Sequence, residues 1–112
     1  MKIKFLMVLA ALVFAGFSHA APRVIHLDEY NGYFAAEETL ANLPAGEYTF
    51  IVTNKAGKVV GFQIQDQKTH KQLDLFPLEV GETRSTTVTI GKNGFRYRCP
   101  INPTPWYDVD VR

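Results

Sequence analysis

Cys99 is the chain's one cysteine, set in the run Gly94-Phe95-Arg96-Tyr97-Arg98-Cys99-Pro100-Ile101-Asn102-Pro103. There a strand-like stretch runs into a proline-rich loop. A single thiol in an exported protein has no internal disulfide partner. It is therefore packed as a small apolar group, bound to a metal, joined to a second molecule, or left reactive. Few other residues carry chemistry. His26 falls on a short apolar stretch and can face either way, its default role being a surface or hydrogen-bonded histidine. His70 lies in the polar segment Asp66 to Lys71, where a solvated ring is expected. Glu37-Glu38 reads as a solvated pair, of interest only if folding carries Glu37 toward Cys99.

Hydrolase and nucleotide signatures are absent. The chain has no Gly-x-Ser-x-Gly, no His-Glu-x-x-His and no phosphate loop. A cysteine followed at once by proline, with no helix start to lower its pKa, is poorly placed as a nucleophile. These absences set the expectation that the protein is not an enzyme.

The elements that would position Cys99 are strands. Period-two alternation puts Phe95, Tyr97 and Cys99 on one face and Arg96 and Arg98 on the other, so the thiol should point inward. Further strands are expected over Arg23 to Leu27, Glu47 to Thr53, Val59 to Gln65, Gln72 to Phe76, Thr83 to Ile90 and Trp106 to Val111. Glu37 to Leu43 is ambiguous, Ala-rich enough for a helical turn but closed by Pro44-Ala45-Gly46. Gly91-Lys92-Asn93-Gly94 reads as a hairpin joining its two flanking strands. Seven or so short strands without a convincing helix predict an all-β fold, a Greek-key β-sandwich.

At the N-terminus, Met1 to Lys4 is basic, Phe5 to Phe17 is apolar, and Ser18-His19-Ala20 fits a cleavage site. We therefore expect a signal peptide over 1–20, one domain over 21–112, and a periplasmic location. The apolar run falls short of the ~20 residues that span a bilayer, so no stable membrane insertion is expected after cleavage. Without Lys2 and Lys4, ten basic residues face eleven acidic ones. That balance supplies no electrostatic footprint for nucleic acid.

Three segments resemble a cupredoxin, in that family's order: Leu43-Pro44-Ala45-Gly46-Glu47-Tyr48-Thr49-Phe50-Ile51-Val52-Thr53-Asn54, Val80-Gly81-Glu82-Thr83, and Gly94 to Pro100. The resemblance implies a cupredoxin-like sandwich across the mature chain. It does not extend to the blue-copper ligands, two histidines, a cysteine and a weak axial group. Pro100 to Arg112 contains neither histidine nor methionine, and Val60-Gly61-Phe62 stands where the family's first histidine would be.

The chain is more similar to the cupredoxin-like domain of EfeO-type periplasmic iron-uptake proteins, whose cysteine precedes a loop with an Asn-Pro pair, as Cys99 precedes Asn102-Pro103. Those domains carry a Cys-Glu pair before the Pro-Ala-Gly turn. Ala36 and Glu37 occupy the matching positions, so only the glutamate carries over. An acidic residue beside the strand aromatic is replaced by Gly61.

This resemblance implies a copper or iron ion held for transport or homeostasis, with Cys99 as soft ligand and Glu37 and His26 as companions. A periplasmic or membrane transport protein is the implied partner. The alternative is a degenerate, metal-free cupredoxin acting as a protein-binding module.

Overall fold

The computed structural model describes residues 21–112. The expected signal peptide lies outside the described residues. Eight strands follow in order: β1 (Arg23–Tyr30), β2 (Tyr33–Ala36), β3 (Gly46–Asn54), β4 (Val60–Asp66), β5 (Gln72–Leu78), β6 (Thr83–Ile90), β7 (Phe95–Arg98) and β8 (Tyr107–Val109). They form two four-stranded sheets, β2-β1-β3-β6 and β5-β4-β7-β8. The all-β sandwich expected from the strand pattern is what the chain adopts. Among the described residues no helix is long and apolar enough to cross a membrane.

Alternation decides which side chains meet between the sheets. Ile25 and Leu27 from β1, Tyr48, Phe50 and Val52 from β3, and Val60, Phe62 and Ile64 from β4 are buried, together with Phe95, Tyr97 and Cys99. Aromatic rings dominate this core, with edge-on contacts such as Phe50 to Phe95 at 5.3 Å and Phe34 to Tyr97 at 5.2 Å between centroids. Such pairs add about 0.5–1.5 kcal/mol each beyond the area they bury. The threonines of β6 face outward, where Thr87 and Thr83 exchange hydrogen bonds with Thr49 and Thr53 of β3 at 2.7 and 2.8 Å. Tyr97, deep between the layers, has its phenol pushed up to about 12 by burial, with Tyr107 adding to the shift.

Three expectations need correction. Gly91 to Gly94 does not close a hairpin, because β6 belongs to one sheet and β7 to the other. The turn carries the chain across the sandwich. Gly94, at φ 78°, sits so close to β8 that a Cβ there would lie 2.4 Å from the Val109 carbonyl. Strand β2 was not expected at all; it pairs antiparallel with β1 through the tight Asn31-Gly32 turn. Glu37 to Leu43 forms neither helix nor strand, apart from a bridge between Leu43 and Val111.

Strand register fixes what gathers at each end of the sandwich. β1 and β3 run parallel, with Glu29 opposite Asn54. β6 begins beside the end of β3, with Thr83 opposite Thr53. The β1–β2, β3–β4, β5–β6 and β7–β8 connections therefore share one end with Cys99. Buried Asn54 ties this end together. Its amide donates to the carbonyls of Lys58, Leu78 and Glu79 at 2.8–3.1 Å and its oxygen accepts from Ala56 N–H at 2.8 Å.

Candidate metal centre

Cys99 directly follows β7, points inward and is 2% exposed. Asn102 N–H donates to its Sγ at 3.4 Å, which turns the loop back over the sulfur. The Asn102 side chain then donates to Asn31 Oδ1 at 2.7 Å and so pins the loop to the β1–β2 hairpin. Beneath, Pro100 and Ile101 lie against Gly61 of β4. A Cβ at Gly61 would meet Pro100 Cγ and Cδ at 3.2 Å and Ile101 Cδ1 at 3.3 Å. Glycine here makes room for the loop, so the absence of an acidic side chain at this position has a steric reason.

The residue facing Cys99 is one that the strand pattern could have revealed but that was not among the expected ligands. Glu29 follows Ile25 and Leu27 on the inward face of β1 and is 0% exposed. Burial pushes its carboxyl up to about 7, offset in part by the Cys99 thiol and the Gly61 amide. Neither group forms a hydrogen bond of ordinary geometry with it, and both carboxylate oxygens lack a partner. A buried polar atom without a partner costs about 1–3 kcal/mol, and more when ionised. Fully buried carboxylates are rare unless paired or bound to a cation. Thr104 Oγ1, in the same β7–β8 loop, is also buried without a partner.

His26 and Glu37 do come together, but not with Cys99. His26 alternates with Ile25 and Leu27, so its ring lies on the outer face of β1 and its side chain is 41% exposed. Glu37 and Glu38 follow β2 on that same outer side. His26 Nδ1 lies 2.7 Å from Glu38 Oε2 and 3.6 Å from Glu37 Oε2. The single centre of Cys99, Glu37 and His26 is thereby revised: β1 separates the two groups, with even-numbered side chains on one face and odd-numbered ones on the other. His70 is exposed in the β4–β5 turn, at the end of β4 away from Cys99.

On the outer face of the second sheet, Arg96 and Arg98 stack over Trp106, their guanidinium carbons 3.9 and 4.2 Å from the ring centroid. Gln65 and Gln63 hold the same two arginines by hydrogen bonds. Trp106 therefore braces the far end of the β7–β8 loop from outside.

The two-sheet architecture is shared with a solved protein. The dithionite-reduced auracyanin of the photosynthetic bacterium Roseiflexus castenholzii, a cupredoxin, superimposes with a TM-score of 0.60 over 83% of this chain and 99% of its own, at 12% identity. The chain thus has a cupredoxin-like fold. No family model matches the chain. No curated protein matches it either.

A type 1 copper centre requires two imidazoles beside the cysteine. The histidines of the described residues, on the outer face of β1 and in the β4–β5 turn, are both elsewhere. The donor set does not fit a blue-copper ion. Beside Cys99 the side chains offer two donor types, one thiol and one carboxyl.

Proposed function

We propose that this protein binds a transition-metal ion, copper or iron, at Cys99 and Glu29, and holds or hands over that ion without enzymatic chemistry. The observation that carries the reading is the fully buried Glu29 carboxyl, both oxygens unpartnered, facing a free buried thiol. Loss of the thiol and carboxyl protons leaves two negative charges, which iron(II) neutralises fully and copper(I) in part, in a place where an unpaired charge is costly. Carboxylate oxygen suits iron, while thiolate and the Irving–Williams order favour copper. The signal-peptide pattern of residues 1–20 supports delivery to the periplasm, and a transport protein is the natural source or recipient of the ion.

Anaerobic titration with copper(I) and iron(II), followed by metal analysis after desalting, tests the reading. Wild-type protein is expected to retain one ion per chain, Glu29→Gln to weaken binding at least tenfold, and Cys99→Ser to lose that ion. Equal retention by all three proteins sinks the proposal.

A second reading has one specific observation behind it. Tyr33, Val59, Val80 and Ile101 are exposed apolar side chains; Tyr33 opens β2 and the other three lie on connections, all at the Cys99 end. An apolar rim of this kind suits a protein-binding module. If wild-type protein takes up neither ion, the metal-free reading stands in its place.

A further inference from the structure

We infer that His26, Glu37 and Glu38 form a second cation site on the outer face of β1, one that takes a divalent first-row ion through nitrogen and oxygen donors. The inference stands whether or not Cys99 holds metal. One ligand atom from each residue lies within 4.8 Å of the other two. An imidazole nitrogen and two carboxylate oxygens are the donor types that zinc, manganese and iron(II) accept. Donors ~2.1 Å from an ion at tetrahedral angles lie ~3.4 Å apart. The 3.6 Å separation of His26 Nδ1 from Glu37 Oε2 already matches, and the 2.7 Å separation from Glu38 Oε2 has only to open slightly.

The backbone preorganises this group. Glu37 N–H donates to the His26 carbonyl at 3.1 Å, which continues the β1–β2 ladder past the last residue of β2. Glu38 Oε1 accepts from the His26 backbone N–H, so one of its oxygens closes the strand edge and the other faces the ring. Two glutamates thus share one imidazole, and among the described residues no lysine or arginine forms an ion pair with either. His26 Nδ1 faces one carboxylate oxygen from each glutamate, the position from which it would bind an ion. Asp28, on the same face of β1, adds a further negative charge.

Zinc binding to the Cys99→Ser protein is the test, because that background removes the buried thiol. Isothermal titration with zinc is expected to show one ion per chain, with the assigned His26 ring resonances shifting and those of His70 unmoved. Glu37→Gln removes a donor that is 64% exposed and has no other hydrogen-bond partner, so the fold is retained. This variant is expected to bind zinc at least tenfold more weakly. The inference is overturned if Cys99→Ser takes no zinc, if Glu37→Gln binds as tightly as its parent, or if zinc moves His70 rather than His26.

Discussion

Glu29 makes the stability of the metal-free chain depend on pH in an unusual direction. Its carboxyl rises from 4.5 to about 7 on folding, with burial as the main cause. Between those values the folded state binds the extra proton, so the stability this group contributes is fully present below about pH 4.5 and is lost as pH rises through 7. The loss is on the order of 3 kcal/mol. Urea unfolding across this range is expected to show a steeper decline in wild-type protein than in Glu29→Gln. The substitution expected to weaken the proposed metal binding thus stabilises the empty protein at neutral pH. His26 shifts in the same sense, raised chiefly by its hydrogen bond to Glu38, while Glu38 is lowered because the His26 N–H groups outweigh its desolvation. The placement of Glu29 was legible in principle. Ile25, Leu27 and Glu29 alternate inward, but a strand ended at Leu27 hides the last member. The same parity shows that His26 must face away. What alternation cannot supply is the pairing across sheets, since nothing local to Glu29 names Cys99 as its neighbour.

The β7–β8 loop and β4 act as a unit. Gly61 is buried under Pro100 and Ile101, whose side chains would have to give by a few tenths of an ångström to admit even a Cβ. Gly61→Val is expected to cost about 1–3 kcal/mol by overpacking and to lift the loop from the sulfur. Alkylation of Cys99, slow in wild-type protein because the thiol is sealed, should then accelerate about tenfold for each ~1.4 kcal/mol by which the closed loop is weakened. Asn54→Ala is expected to be more damaging, about 2–4 kcal/mol in chemical denaturation, because four backbone partners, three in two connections and one at the end of β5, lose their contact with a buried amide. Element by element, the long strands β3, β4 and β6 could be read from β-branched and aromatic alternation. Four-residue β2 could not, because Tyr33-Phe34-Ala35-Ala36 is too short to show a period.

Across the whole molecule, three chain passages between sheets hold the sandwich together: β3 to β4, β5 to β6 and β6 to β7. The glycine-rich turn at 91–94 was read as a hairpin because turn chemistry is the same whether the next strand pairs with its predecessor or crosses to the other layer. Only the distribution of strands between sheets decides. Gly94→Ala is expected to cost about 2–4 kcal/mol, since it combines a left-handed backbone with a collision against β8. Its thermal midpoint should fall well below that of a Gly91→Ala control, whose Cβ meets open space.

Trp106 is the chain's single tryptophan, and it lies beneath two guanidinium groups at the far end of the loop that covers Cys99. Cations against an indole alter its excited state, so any rearrangement of that covering segment becomes an optical signal. The protein therefore carries its own fluorophore, and stopped-flow emission can test whether the proposed ion reaches this loop, and time it, without an attached dye.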